Sequence, residues 1–403
     1  METTANIVAE PSLSRAISLR WIISTRDDLV WFIGSVLSSY ALLALYVTGT
    51  VPLLPMVAAW AILIDAPHVF GTFSRTYFDR SERQNRGRLL WGSLVFFVVG
   101  PLMVLAGTGF VFFFMAALWA YYHLVKQHYG FMVLYKKKNG DLAPVDNALD
   151  RLLLLFAFNY PFVAFIARDP EAMARVPQVL HSSVNGLALL LLAGTIVLGV
   201  AWLGRQVQRA WFALPLDIPK YLLLAAAIPM HWIVLLTPMP HKPIAIVAIL
   251  TIYHNLQYHR LIWFHNKKYT NATTPVSPAT ARPTLAEVGE SGPERRSLAA
   301  LWTGKAASQD LQRKYGAAEL ISRHLLFYIA FGVLFGLIYQ GPRQYLGYLS
   351  LKHGTDAGAN EQSMALQLGI AFLWGYALIH YYLDSKIWRV RRDPSVGKAL
   401  RME

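Results

Sequence analysis

Ten runs of roughly twenty mostly apolar residues occupy most of the chain and restrict what it can fold into. A helix of that length matches the hydrocarbon thickness of a bilayer, whereas a surface helix of a soluble protein carries a single apolar stripe. Charged residues make up 15% of the chain, compared with about a quarter in a typical soluble domain. The predicted fold class is therefore all-α, a polytopic membrane protein with about ten transmembrane helices.

The basic residues predict how these spans are oriented. Lys and Arg are concentrated in the termini and in the loops after the even-numbered spans, for example residues 75–88 and 136–138. Because cytoplasmic loops of membrane proteins are enriched in Lys and Arg, both termini are predicted to be cytoplasmic. The spans are expected at residues 29–48, 52–72, 89–107, 109–134, 150–167, 184–204, 219–237, 243–264, 324–341 and 365–388.

This topology divides the chain into five segments. Residues 1–28 form a cytoplasmic N-terminal segment, and residues 29–265 hold transmembrane helices 1–8. Residues 266–323, which include a Thr/Pro/Ala-rich stretch, form a cytoplasmic linker or insertion. Residues 324–388 hold helices 9–10, and residues 389–403 form a basic cytoplasmic tail.

Composition excludes several classes of protein. The chain has no Cys, which removes disulfides, thiolate zinc sites, iron–sulfur clusters and covalently attached haem. The net charge of +14 is explained by membrane orientation, so no nucleic-acid partner is expected. The N-terminus lacks a cleavable signal-peptide pattern. These features predict a multi-pass integral membrane protein, placed in a bacterial inner membrane.

Polar clusters interrupt the ends of four of the spans. The most unusual is YHNLQYHRLIWFH at residues 253–265, and the others are Asp65/His68, His123/His128 and His380/Asp384. Every cluster falls at the predicted cytoplasmic end of an even-numbered span. Ionisable residues inside membrane spans are costly and usually mark function. Four clusters at one depth therefore predict a shared site at the cytoplasmic membrane face.

The spacings within the clusters suit metal ligands. Members of the i,i+3 and i,i+4 pairs share a helix face, whereas the two His-x4-His pairs are about 140° apart on an ideal helix. The wider spacing leaves two alternatives, an ion on each side of the helix or a local π-bulge. The predicted ligands, enough for two ions, are Asp65, His68, His123, His128, His254, His259, His380 and Asp384. Imidazole-rich sites favour iron, zinc, copper or nickel.

Other polar residues are candidates for orienting the ligands or binding substrate. Arg75 is suited to a phosphate or carboxylate headgroup, but a basic residue at this position is equally explained as a membrane anchor. No catalytic residue can be assigned. The remaining candidates for these supporting roles are His231, His265, Tyr122, Gln127 and Tyr258.

The His-rich clusters, including His-x4-His, resemble those of the integral-membrane di-iron class of fatty acid desaturases, hydroxylases and alkane monooxygenases. The resemblance covers the clusters alone, and the His-x2–3-His-His motifs of that class are absent. It implies two iron ions, with zinc or another transition metal as the alternative, and a cytoplasmic electron donor. It also implies oxidoreductase chemistry on a lipid or other hydrophobic substrate: desaturation, hydroxylation or oxidative cleavage.

Two other functions are compatible with polar residues in membrane helices. A transporter or ion pathway would place its polar residues across the membrane, and a haem-binding electron-transfer protein would need paired axial histidines. The four polar clusters lie at one membrane face, which argues against a transporter or ion pathway. A haem-binding protein would leave Asp65 and Asp384 unexplained. A zinc peptidase is disfavoured because His-Glu-x-x-His does not occur.

Overall fold

The computed structural model of the chain describes residues 17–270, 309–354, 364–389 and 394–402. These residues are predominantly helical, as predicted for an all-α protein. The extended pairing within the described residues is one short parallel ladder between β1 (Ile17–Ser18) and β2 (Leu216–Asp217), together with an isolated antiparallel bridge between Asp79 and Gly316. Residues 1–16 of the predicted N-terminal segment, residues 271–308 of the linker and residues 390–393 of the tail lie outside the described part.

Nine helices in the described residues are long and apolar enough to cross a membrane, one fewer than expected, and they suggest a membrane protein. Predicted span 243–264 is helical, but it is not among the nine. His, Asn, Gln and Arg side chains in its second half lower its mean hydropathy. The nine are Thr25–Val47, Leu53–Arg75, Arg80–Leu105, Gly109–Asn139, Pro144–Arg168, Gln178–Trp211, Ile218–Leu236, Leu325–Leu349 and Met364–Ile387.

The chain divides into two compact units that are interleaved in sequence. Unit 1 comprises residues 1–61, 103–257 and 400–403, and unit 2 comprises residues 62–102 and 258–399. The helices of the first half of the chain are α1 (Thr25–Asp27), α2 (Val36–Val47), α3 (Leu53–Trp60), α4 (Ala66–Arg75), α5 (Arg80–Ser93), α6 (Phe96–Leu105), α7 (Gly109–Asn139), α8 (Pro144–Arg168) and α9 (Pro170–Met173). The later helices are α10 (His181–Trp211), α11 (Ile218–Leu236), α12 (Lys242–Asn266), α13 (Ala317–Ser322), α14 (Leu325–Gly354), α15 (Met364–Ile387) and α16 (Pro394–Ala399).

Two π-helical segments interrupt the first spans, at Asp28–Gly34 and Ala61–Asp65. The second segment ends at the candidate ligand Asp65, which is also the N-cap residue of α4. The histidine pairs of α7 and α12 lie in regular α-helix. A π-bulge at these pairs, one of the two alternatives for their spacing, is therefore absent. The members of each pair instead point about 140° apart.

Unit 2 is built around a close crossing of α14 and α4. A Cβ added at Gly336 would clash with the Ile62 carbonyl oxygen, and one added at Gly332 would lie 2.8 Å from the Pro67 Cβ. These two glycines form a Gly-x3-Gly step, the spacing that lets membrane helices approach backbone to backbone. The crossing fixes α4, which carries His68 and Arg75, within unit 2.

Aromatic rings fill the space beside this crossing. Phe73 of α4 lies 5.4 Å from Phe335 of α14, and Phe335 lies 5.4 Å from Tyr376 of α15. Tyr339 packs 4.9 Å from the same Tyr376 ring. Such tilted and edge-on pairs add directional stabilisation to apolar burial. The core of unit 2 therefore holds α4, α14 and α15 together.

Candidate functional site

Unit 1 gathers four buried histidines from three helices, and we call them the four-histidine group. His123 and His128 belong to α7, His231 to α11 and His254 to α12, and their exposures are 8%, 0%, 0% and 4%. The ring centroids of His123 and His254 are 5.3 Å apart, as are those of His128 and His231. The His128 and His254 centroids are 6.4 Å apart. The four rings therefore form one continuous cluster.

Two members of the four-histidine group have their tautomer fixed by the backbone. His128 Nδ1 lies 3.0 Å from Leu124 O, and His231 Nδ1 lies 2.8 Å from Ala227 O. A carbonyl oxygen accepts hydrogen bonds, so Nδ1 carries the proton and Nε2 carries the lone pair. Both Nε2 atoms are buried with no hydrogen-bond partner in the described residues. Metal-binding histidines characteristically donate one nitrogen to a carbonyl in this way and coordinate through the other.

The spacing of the rings can be compared with that around a shared ion. With metal–nitrogen bonds of about 2.0–2.1 Å, two imidazoles on one tetrahedral ion have ring centroids roughly 5 Å apart. Both 5.3 Å pairs match this separation, whereas the 6.4 Å pair is wider. Imidazole nitrogens are donors suited to a first-row transition metal. The His128–His231 pair therefore has the ring spacing and the tautomers that two imidazoles on a shared ion would need.

Aromatic residues enclose this group and their polar atoms are engaged elsewhere. Phe158 stacks on His231 at 3.9 Å between centroids, and Tyr253 lies 5.4 Å from His128. The Tyr253 hydroxyl donates to Phe32 O at 2.6 Å. Gln127, a predicted supporting residue, donates to the His254 carbonyl at 2.7 Å and so connects α7 to the α12 backbone at His254. The surroundings of the rings are therefore apolar.

Unit 2 holds a second group, centred on His68 and His380. Their ring centroids are 4.6 Å apart, and both rings are at most 2% exposed. Thr72 is the hub of this group: its hydroxyl donates to Asp384 Oδ1 at 2.6 Å and lies 2.7 Å from His380 Nδ1. Tyr258 also donates to Asp384, at 2.9 Å. Because Thr72 gives its proton to Asp384, it accepts from His380 Nδ1–H, which leaves the lone pair on Nε2.

Two other predicted ligands of unit 2 are engaged in hydrogen bonds. Asp65 accepts from Gln340 Nε2 at 2.9 Å. His259 Nε2 lies 3.0 Å from Ile64 O, and His259 Nδ1 lies 3.3 Å from the Tyr328 hydroxyl. Because Nε2 faces a carbonyl it carries the proton, and Nδ1 is held by the tyrosine. His259 thus has a complete structural hydrogen-bond set.

Within each unit the structure brings predicted residues together: His123, His128 and His254 in unit 1, and His68, His380 and Asp384 in unit 2. His231, expected in a supporting role, joins the four-histidine group directly. Tyr122 is 54% exposed and does not belong to either group. Of the α12 pair, His254 belongs to unit 1 and His259 to unit 2.

A buried ion network in unit 1 was not anticipated from the sequence. Lys220 Nζ lies 2.6 Å from Asp141 and 3.1 Å from Asp150, and Lys136 also pairs with Asp150. Arg209 pairs with Asp141 and, at 3.3 Å, with Asp146. The network is continued by Arg205, which donates to Asp146, and by Trp202, which donates to Asp150. The sequence signal for this network is the set of three Asp residues that follows Lys136 across the α7–α8 connection and into α8. Residues 136–138 were predicted instead to belong to a basic cytoplasmic loop.

Asp141, inside this network, and Asp217, beside it, have shifted pKa values. Burial would raise the pKa of Asp141, but Lys220, Arg209 and Lys136 outweigh it and lower that pKa. Burial raises the pKa of Asp217 to about 6. Asp217 caps α11 by accepting from Lys220 N at 3.2 Å and accepts from Asn139 Nδ2 at 3.0 Å. Its Oδ2 is buried without a hydrogen-bond partner in the described residues.

Comparison with known proteins gave no relationship: no protein-family model, no curated protein and no solved structure matches the chain significantly.

Proposed function

We propose that the chain is a multi-pass membrane oxidoreductase whose buried histidines bind a first-row transition metal, with iron as the expected ion. The observation that carries this proposal is the pair His128 and His231. Each donates Nδ1–H to a carbonyl, each holds Nε2 buried without a hydrogen-bond partner, and their rings are 5.3 Å apart. Buried polar atoms normally have partners, so two orphaned lone pairs side by side favour a bound cation.

The proposed ligands come from both groups. In unit 1 they are the four-histidine group, and in unit 2 they are His68 and His380, with Asp384 orienting His380 through Thr72. The expectation of two ions from the sequence is kept as part of this proposal. A bound redox metal would supply electron transfer and oxygen activation at these imidazoles.

The surrounding side chains have defined tasks under this proposal. Phe158 and Tyr253 exclude water from His231 and His128 and so leave an apolar environment that suits a hydrophobic or lipid substrate. Thr72, Tyr258 and Asp384 hold His380 in one tautomer. We further propose that an acidic cytoplasmic protein donates electrons, because the chain carries a net charge of +14. A bacterial inner membrane is the proposed location.

The first experiment is metal analysis of the full chain purified in detergent, by mass spectrometry with an optical spectrum of the same sample. His128→Gln and His231→Gln test the ligands, because an amide keeps a donor for the carbonyl but removes the imidazole lone pair. His241→Gln is the matched control, since the His241 side chain in unit 1 is 65% exposed. We expect about two irons per chain in wild type and in the control, and loss of metal in the two test variants.

Three outcomes of this experiment separate the candidate activities. Iron that is retained in His128→Gln and His231→Gln contradicts the ligand assignment. Zinc in place of iron redirects the proposal to hydrolysis or isomerisation. A folded protein with no metal and no haem band rejects the oxidoreductase proposal and leaves transport as the function to test.

A further inference from the structure

Arg75 is the largest side chain of the described residues that is fully buried, with 1% exposure. Its Nη2 donates to Ile387 O at 2.9 Å, and its guanidinium carbon lies 3.9 Å above the Trp388 ring. Nε and Nη1 have no hydrogen-bond partner in the described residues. Most of the donors of a permanently charged group are therefore buried and unused.

Such an arrangement is costly unless something compensates the charge. A buried cation is normally paired with an anion, because desolvation of an isolated charge is expensive. Two acidic residues of unit 2, Asp79 and Asp384, have hydrogen-bond partners of their own. Asp79 accepts from Tyr269 at 2.9 Å and caps α5, and Asp384 accepts from Thr72 and Tyr258. Neither supplies a hydrogen bond to Arg75.

A second buried polar side chain, His265, contacts the same tryptophan. His265 is 0% exposed, its ring lies 5.6 Å from Trp388, and its Nε2 has no partner in the described residues. His265 Nδ1 lies 3.3 Å from Asn266 Oδ1, whereas Asn266 Nδ2 is buried and unused. Reversing the Asn266 amide, which exchanges nearly indistinguishable atoms, would let Nδ2 donate to Nδ1 and leave Nε2–H as a donor.

We propose that Arg75, with His265 beside it, binds an oxyanion, the carboxylate or phosphate headgroup of an amphiphile. Guanidinium is suited to this chemistry because its planar donors match carboxylate and phosphate oxygens. The ion compensates the buried charge of Arg75 and occupies the unused donors. The Trp388 ring holds the guanidinium in position by a cation–π contact.

This site also specifies the substrate class of the proposed oxidoreductase, and that specification rests on the proposed function. His68 and Arg75 belong to the same helix, α4. Seven residues separate them by about 10 Å along the axis and return them to nearly the same face. A headgroup held at Arg75 would thus direct its hydrocarbon chain along α4 towards His68 and His380. The expected substrate is an acidic amphiphile and not a neutral hydrocarbon.

The test is a direct binding measurement on the full chain in neutral detergent, after metal removal by chelation, so that it does not depend on enzyme activity. The probes are dodecanoate, dodecyl phosphate, neutral dodecanol, acetate and inorganic phosphate, and the readouts are the dissociation constant and the ligand-induced rise in Tm. We expect the two anionic amphiphiles to bind and dodecanol not to bind. Arg75→Met should weaken the anions about tenfold or more while leaving the ligand-free Tm unchanged or higher.

Arg343→Met is the matched control, because Arg343 also belongs to unit 2 and stacks on a tryptophan, Trp374, at 4.4 Å. It should leave anion binding unchanged. Equal affinity for inorganic phosphate and dodecyl phosphate would support a free oxyanion as the ligand and reject the headgroup. Anion binding that survives in Arg75→Met, or the absence of anion binding in wild type, overturns the site. Metal analysis of the same samples reports separately on the proposed metal centre.

Discussion

Substitution of Asp150 by Asn tests the buried ion network of unit 1. Asp150 is 1% exposed and accepts from Lys136, from Lys220 at 3.1 Å and from Trp202 at 2.7 Å. Without its charge, both lysines depend on Asp141, at 3.9 Å from Lys136 and 2.6 Å from Lys220. Removing one partner of a buried ion pair costs about 3–5 kcal/mol. We expect Asp150→Asn to lower the free energy of unfolding by that amount.

The assay is unfolding in detergent, by heat and by denaturant, followed by intrinsic tryptophan fluorescence. The double variant Asp150→Asn/Lys136→Met removes one charge of each sign, so it should be much more stable than the sum of the two single changes predicts. Glu82→Gln is the control, because its i,i+4 pair with Arg86 is partly exposed and should contribute about 0.5 kcal/mol or less. The reasoning is refuted if Asp150→Asn costs no more than Glu82→Gln, or if the two changes in the network are additive.

Three further substitutions test other buried features by the same unfolding assay. Burial raises the pKa of Asp217 to about 6, so the folded state binds its proton more tightly and loses stability as pH rises from about 4 to 6. The free energy of unfolding of Asp217→Asn should therefore rise relative to that of wild type as pH rises through this window, by at most about 3 kcal/mol. A difference that stays constant with pH would contradict the shift. Thr72→Val removes the hub of the unit 2 group and should lower the free energy of unfolding by about 1–3 kcal/mol. Thr251→Val, at an exposed hydrogen bond, should cost little. Equal losses of stability in the two variants would contradict the role of Thr72. Gly336→Ala should destabilise the α4–α14 crossing by about 1–3 kcal/mol. Gly341→Ala is the control, because a Cβ added at Gly341 has no atom within 4 Å. Similar Tm values for the two variants would show that the helices separate easily.

The helices were largely predictable because a bilayer requires apolar runs of defined length. Nine of the ten expected spans overlap helices that are apolar enough to cross a membrane. The span at residues 243–264 is the exception, and its polar residues are those that made it a candidate site. The burial of His68, His128 and His254 also follows the prediction, because a polar residue in an apolar helix is directed inwards.

The partners of these histidines could not be predicted because they depend on which helices become neighbours. His231 belongs to a span with no other histidine, so sequence spacing gave it no partner, yet its ring packs 5.3 Å from His128. The partners of Lys220 could not be predicted for the same reason, because Asp141 and Asp150 lie 79 and 70 residues away in sequence. Periodicity determines the face of a helix, whereas long-range pairing is determined by tertiary packing.

The close crossing of α4 and α14 limits which amino-acid substitutions the chain can accept during evolution. At Gly332 and Gly336 the approach leaves no space for a side chain, so any larger residue must displace the neighbouring backbone. Lipid-facing positions can exchange one apolar residue for another at little cost, but these two positions accept a single residue type. A mutation there would move the backbone that carries His68 and Arg75 without touching either side chain. If the proposed function holds, loss of activity in such a variant would therefore come from displaced backbone, and added metal or substrate would not restore it.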